Sequence, residues 1–466
     1  MAFGISRQRP GLAVALETTL KHAATLASVL VAAVACSGSA NPGPASQERR
    51  GTQATSASDE ASLALRALRE PAPRSSQVVQ ALRDRGPTGL AALLAAAGPA
   101  PDSAARQVIA VVAGQLDADV SGLYWHTDFE RALTQAQAEG KPILSLRLLG
   151  RLDDELSCAN SRLFRTTLYP DAQVSKLLRE RFVLHWASER KVPRVTIDYG
   201  DGRRLERTIT GNSIHYVMDK KGRVVDALPG LYGAAAFARA LGELHPVATQ
   251  ASDLDGAQWS DAVRAHHRRA LTETRAALMA NLRAANLDAG QFVLAAPRRR
   301  GKAPTAKQAV PIAITKAAIE APVVQRTVPT FGELERRIDR DAVWQRLALL
   351  ERSVVRLDDA SRKVVARKRP VTWSEADGRV RPATGKDLQR MLSVLQNHIA
   401  QDTLKNELML RRRIHEWLSE APLSYVALNK RVYADLFLTP ASDPWLGLLP
   451  RDVFSGLPQD GVRDLR

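Results

Sequence analysis

The sequence predicts an α/β domain followed by a mostly α-helical C-terminal domain, and three observations carry that prediction. Between residues 119 and 246, segments of helical period alternate with short apolar runs of strand length, the order that builds a sheet with helices over it. Beyond residue 247 the period turns helical, with two long amphipathic segments, Gln258 to Asn286 and Lys386 to Ser419. The 466 residues, 45% of them hydrophobic, suffice for two or three folded units with real cores.

The first element in order is a leader. Arg7, Arg9 and Lys21 surround the start of an uncharged run, Ala23 to Ala35, whose length suits a signal-peptide core and is too short to span a bilayer. The run ends in Ala33-Val34-Ala35-Cys36 followed by Ser-Gly-Ser, which resembles a bacterial lipobox with Ala33 at the position most often held by Leu. The resemblance implies that residues 1–35 are a lipoprotein signal peptide and that Cys36 becomes an acylated N-terminus. The alternative is an ordinary signal peptide cut after Ala35. Each buried CH₂ of an acyl chain contributes about 0.8 kcal/mol, so such a protein is expected to be exported and held by lipid to the bacterial envelope, at the outer membrane facing the periplasm or the cell surface. No second apolar run of about eighteen residues occurs downstream.

The formal net charge is +17, and about +15 without the leader. Such a balance attracts nucleic acid, anionic lipid or acidic polymers. An exported lipoprotein meets nucleic acid least, so the expected partners are the membrane, through the lipid anchor, and an envelope protein or peptide. Of the two cysteines, acylation of Cys36 leaves Cys158 alone, and no intramolecular disulfide can close.

Residues 36–58, rich in Ser, Ala, Gly and Pro, read as a flexible tether. Residues 59–118 hold three Ala/Leu-rich segments separated by PAP and GPAP, a helical preface. The α/β domain, residues 119–246, begins with a helix over Asp128 to Glu139, stopped by Gly140, and a buried strand over Ile143 to Leu148. A helix from Ala172 to Glu180 and a strand from Phe182 to Trp186 come next. Val195 to Tyr199 and Leu205 to Thr210 flank Gly200-Asp201-Gly202 as a hairpin, Ile214 to Met218 and Val224 to Ala227 form a second, and Ala235 to Leu244 is the closing helix. Residues 247–296 are helical. Residues 297–330 read as a Pro/Ala/basic linker whose cluster Pro297 to Lys302 suits an anionic surface. In the last domain, residues 331–466, helices are expected over Phe331 to Ser353, Asp358 to Arg367 and Lys386 to Ser419, with a loop from Pro370 to Arg381.

Trp125 with DFERALTQAQAEGKPILSLRL resembles the opening of exported thioredoxin-like domains. Phe164, Asp171 to Val174, Glu180 to Val183, Tyr216 to Arg223 and Gly230 resemble the later segments of the same family, about 125 residues in all. Active members carry Cys-x-x-Cys between the first strand and the next helix, where the helix N-terminus lowers the first thiol's pKa. Aligned on Phe164, those positions fall near Asp153 and Leu156, so dithiol chemistry is not expected. The family's proline before the closing hairpin is replaced near Ser213 or Ile214. The resemblance therefore implies a redox-degenerate thioredoxin-like domain that binds or scaffolds an envelope protein or peptide, with Asn212, Ser213 and His215 on its substrate-facing loop.

An alternative gives Cys158 a catalytic role. If Ser157-Cys158-Ala159-Asn160 opens a helix, the dipole with Arg162 or Arg165 stabilises a thiolate, and the chain is a monothiol oxidoreductase or redox sensor. Against it, a free cysteine packs like a small hydrophobe. His185 and His215 read as hydrogen-bonded side chains, Asp153-Asp154-Glu155 as a solvated loop, and His266-His267 as neighbours pointing about 100° apart. With no cluster at zinc spacing, neither a metal nor a cofactor is expected. On the last long helix, His398, Asp402 and Asn406 fall on or beside the apolar stripe, as a polar network receiving Asn429 to Tyr433 or as a ligand pocket. Asp443-Pro444-Trp445 is expected to turn the Trp445 indole against the core, a further position for a partner.

Overall fold

The computed structural model describes residues 58–287, 342–350, 355–374, 377–446 and 457–462, all within one compact unit from Ala57 to Arg466. The segments expected to be a leader ending before Cys36, a tether over residues 37–57 and a basic linker over residues 297–330, together with residues 331–341, lie outside the described residues.

The preface is helical, in keeping with its Ala/Leu pattern. It comprises α1 (58–67), α2 (Gln77–Asp84), α3 (Pro87–Ala97) and α4 (Ser103–Ala113). Ser76 and Asp102 cap α2 and α4 by accepting from the backbone N–H groups of Val79 and Ala105. Leu82, Leu90, Leu93, Val108 and Ile109 close a separate small core. Polar contacts tie this core to the start of the α/β domain. The Tyr124 hydroxyl donates to the Arg83 carbonyl at 2.9 Å, and the Arg83 guanidinium donates to the carbonyls of Val112 at 2.6 Å and Trp125 at 2.9 Å.

After a short α5 (Ala118–Ser121), α6 (Phe129–Glu139) is capped by Asp128 and ended by Gly140, which is left-handed at φ 66°. The sheet then forms from β1 (Ile143–Leu149), β2 (Val183–Arg190), β5 (Ser213–Met218) and β6 (Val224–Pro229) in the order β2-β1-β5-β6. β1 and β2 are parallel, while β5 is antiparallel to both β1 and β6. Every residue of β5 and β6 is buried, the polar Ser213, His215 and Asp226 included. β3 (Arg194–Asp198) and β4 (Arg204–Thr208) pair apart from the sheet as the predicted hairpin.

Between β1 and β2 the chain forms α7 (Ala159–Leu163), a π turn over Phe164–Leu168, and α8 (Ala172–Arg181). The closing helix α9 (Ala234–Ala251) runs about two turns past its predicted end, with Pro246 inside it. Alternation along β5 defines two faces. His215 lies between the rings of Phe164 and Phe237, with centroids at 4.8 and 5.0 Å. Tyr216 points the other way, to Tyr425 and Asn429.

The C-terminal region is helical: α10 (Gly256–Ala284), α11 (Ala342–Leu350), α12 (Asp359–Arg367), α13 (Gly385–Lys405), α14 (Arg412–Glu420) and α15 (Tyr425–Arg431). α13 passes into α14 through a π turn, Asn406–Arg411, so the long predicted helix is continuous but locally widened. Two expectations are corrected. Residues expected to loop from Pro370 to Arg381 instead contain a hairpin, β7 (Val371–Trp373) with β8 (Val380–Pro382), because Val371, Thr372, Trp373 and Val380 all favour strands and Trp373 faces Val380 across the turn that holds Gly378. Trp445 is 50% exposed, so its indole does not cap the core; the turn places the Trp445 N–H, not its ring, on the Asp443 carboxylate.

Candidate functional site

The loop after β1 runs from Leu149 to Cys158, and its Asp153 is tied down by Arg74 and Arg151 at 2.8 Å each. The helix opens late, with Cys158 as the N-cap of α7, five residues beyond Asp153. The thiol is buried. Arg165, fully enclosed, donates to the Asp154 carbonyl at 2.9 Å and to the Ser157 hydroxyl at 3.3 Å; burial lowers its pKa. That guanidinium therefore organises the loop backbone.

The segment before β5 packs onto this helix start. The Asn160 amide donates to the Gly211 carbonyl, and the Thr208 hydroxyl donates to the Ser157 carbonyl at 3.0 Å. His215 lies further along, on β5, with Nε2 at 2.7 Å from the Tyr169 hydroxyl, and burial pushes its pKa down to about 3. Burial raises the Tyr169 phenol well above its ordinary value, with the nearby Cys158 adding to the effect. The structure thus gathers Cys158, Asn212, Ser213 and His215 in one region. Ser213 and His215 are fully buried and Asn212 nearly so, so that, contrary to the expectation, none of them faces outward to a substrate.

What closes the region is the C-terminal segment. The Asn212 amide donates to the Thr439 hydroxyl at 2.8 Å, the Tyr433 hydroxyl donates to the Asn212 carbonyl at 3.3 Å, and Arg190 donates to the carbonyls of Asp443 and Thr439. On the other face of the sheet, Arg147 pairs with Glu189 at 2.9 Å. The Asn429 amide donates to Glu189 at 2.8 Å, and the Tyr216 hydroxyl donates to Asn429. Arg147, Glu189 and Tyr216 of the sheet are thus joined in one polar network with Asn429 of the C-terminal region.

His398, Asp402 and Asn406 do not join this region. Asp402 and Asn406 are buried and His398 is half-buried. Among the described residues, Thr403 and Asn406 of this stripe receive the turn after β6, while Asn429 and Tyr433 bond to Glu189 and Asn212. Asn406 donates to the Leu231 carbonyl at 2.7 Å, and the Thr403 hydroxyl accepts from Gly233 N–H at 2.8 Å. Gly230, at φ 78°, is required here because a Cβ would lie 2.5 Å from the Asn406 amide.

Sequence reasoning missed a second cluster, assembled from three distant segments. Asp226 on β6 is fully buried and meets Arg411 at 2.8 Å and His266 Nε2 at 3.0 Å. His267 Nε2 lies 3.0 Å from the Val225 carbonyl, and its Nδ1 lies 2.7 Å from Nδ1 of His415. Burial alone would raise the Asp226 carboxyl, but Arg411, with His415 and His266, holds it well below the usual range. Burial lowers His267 to about 4 and His415 to about 3, although Asp226 pulls both upward. His266 and His267 reach the cluster despite diverging, one through Asp226 and one through His415. The available signal was an aspartate inside an apolar strand, Val224-Val225-Asp226-Ala227-Leu228, an unfavourable position without a buried partner.

Asp226, His267 and His415 offer ligand atoms within 4.8 Å of one another, the composition of a metal site. The distances favour hydrogen bonds. Two nitrogens on one tetrahedral zinc stand about 3.3 Å apart, given Zn–N near 2.05 Å, whereas these are 2.7 Å apart, the spacing of a shared proton. The carboxylate is also already neutralised by Arg411. Saturating zinc or a chelator should therefore leave the melting temperature unchanged in a thermal scan, and a zinc-dependent rise would reassign the cluster as a metal centre.

A separate cavity of about 560 Å³ opens beside β2, lined by Tyr124, His126, Gln135, Lys141 and Arg179 among others. None of the sequence-predicted site residues lines it. No family model matches this chain, and neither a curated protein nor a solved structure matches it significantly.

Proposed function

We propose that this chain is an exported lipoprotein, acylated on Cys36, whose α/β unit is a thioredoxin-like domain without dithiol chemistry and acts as a module that binds or scaffolds an envelope protein or peptide. The observation that carries the non-catalytic reading is the complete burial of Cys158, in a region closed by Tyr433, Thr439 and Asp443 of the chain's own C-terminal segment. A thiol that exchanges disulfides must be reached by a second sulfur. The thioredoxin-like reading is supported by the order of elements: α6, the apolar β1, a helix opened by a cysteine, the parallel β2, then the β5–β6 hairpin and a last helix. In that reading Cys158, rather than Asp153 or Leu156, occupies the place of the family's first thiol.

The same placement favours a second reading, a monothiol oxidoreductase or redox sensor. Cys158-Ala159-Asn160-Ser161 opens the helix behind β1, with Ser161 donating to Ser157 at 2.7 Å. Alkylation of Cys158 in the native Cys36→Ser protein separates the two. Labelling confined to denatured protein is the expected result. Rapid native labelling with a midpoint well below about 8.5 would instead establish thiol chemistry.

A further inference from the structure

The β7–β8 hairpin carries an apolar face that nothing in the described structure covers. Val371 pairs with Pro382, Thr372 with Arg381 and Trp373 with Val380. Because side chains alternate along a strand, Val371, Trp373, Val380 and Pro382 share one face, with Thr372 and Arg381 on the other. Val371 is 54% exposed, Trp373 61% and Val380 68%, and Pro382 is exposed as well. A lone two-stranded hairpin is marginal in water, and a contiguous exposed apolar patch marks a surface that is used.

The charge around this face selects the partner. Residues 368–390 contain Lys368, Arg369, Arg379, Arg381, Lys386 and Arg390 against Glu375, Asp377 and Asp387, a net +3. Lys368, Arg381 and Arg390 already pair with carboxylates of this chain, whereas Arg369, Arg379 and Lys386 are exposed on the segments that flank and connect the two strands. An indole flanked by small aliphatic residues and a basic rim suits the headgroup layer of an anionic bilayer, where the ring sits at the interface and the cations meet lipid phosphate. We infer that the β7–β8 hairpin is a contact surface for anionic lipid, seating Trp373 and Val380 at the membrane interface independently of any acyl anchor.

The test uses the compact unit Ala57–Arg466, which lacks both Cys36 and the apolar leader, so its outcome is separate from that of the anchoring proposal. The protein is sedimented with phosphatidylglycerol/phosphatidylcholine vesicles and with phosphatidylcholine alone. Binding to the anionic vesicles is expected, with a blue-shifted Trp373 emission obtained by difference from Trp373→Phe. Trp373→Ser with Val380→Ser should weaken binding roughly tenfold or more, and raising the salt should weaken it further. These exposed substitutions should leave the circular dichroism spectrum unchanged. Absence of binding to anionic vesicles, or binding that the double substitution leaves intact, overturns the inference. So does a concentration-dependent dimer that the same substitutions dissolve, since the occupant is then a second copy of the chain.

Discussion

Asp226→Ala is expected to cost about 3–5 kcal/mol of folding stability, because it strands a buried charge. Its carboxylate is fully buried on β6, where it accepts from the Ala227 N–H at 2.7 Å and meets Arg411 and His266. Burial would lower the Arg411 pKa and Asp226 raises it, but a guanidinium does not deprotonate in a protein, so it remains charged when its partner is removed. An apolar pair of similar volume should behave differently, because exchanging both charges together removes the desolvation cost with the attraction. Asp226→Leu with Arg411→Met is therefore expected to cost much less than the sum of the single substitutions, a coupling of about 2–3 kcal/mol. Urea unfolding of the four proteins measures it. Strict additivity would mean that the sheet and the C-terminal helices are not joined through this pair.

The elements were legible in the sequence because each carries a local signal. The pattern from Asp128 to Glu139 is helical and Gly140 stops it, and Ile143 to Leu148 and Ile214 to Met218 are mostly apolar runs of strand length. The β7–β8 hairpin was missed because three-residue strands give too few residues to show a period. The site was legible only in part. The loop before β5 and Cys158 do meet, because both border the ends of adjacent strands, β1 and β5. Their closure by Tyr433 and Thr439 was not legible, since those residues lie more than 200 positions away and the contact is set by how the C-terminal helices cover the sheet. The Asp226–Arg411–His267–His415 cluster hid for the same reason. Each member reads as an ordinary polar residue on its own element, and only tertiary packing brings β6, α10, α14 and the π turn together. The π turn widens the helix between Asn406 and Arg411, which shifts every later residue around the axis and defeats a wheel drawn at 100° per residue.

A second large effect is expected in acid. His185 and His267 are held near pKa 4 and His215 and His415 near 3, each chiefly by burial. The unfolded chain takes up these protons near pH 6.5. A folded pKa below the unfolded one means that the unfolded state binds more protons, so the stability these neutral imidazoles contribute is intact above pH 6.5 and is lost as pH falls toward 4 and then 3. At pH 5 each costs about 2 kcal/mol relative to pH 7, or about 8 kcal/mol for the four, comparable with the whole stability of a typical domain. Below pH 4 the ionised Asp226, whose carboxyl is held far below its ordinary value, extends the same trend. Urea midpoints measured from pH 8 to pH 4.5 should be flat above pH 7 and fall steeply below 6.5. His185→Gln, which can keep a hydrogen bond to the Ser145 hydroxyl now 2.8 Å from His185 Nδ1, should make that limb shallower by one proton, about 1.4 kcal/mol per pH unit. An unchanged slope in the variant would show that His185 is protonated in the folded protein, and with it that the Ser145–Tyr425 side of the sheet is open to water.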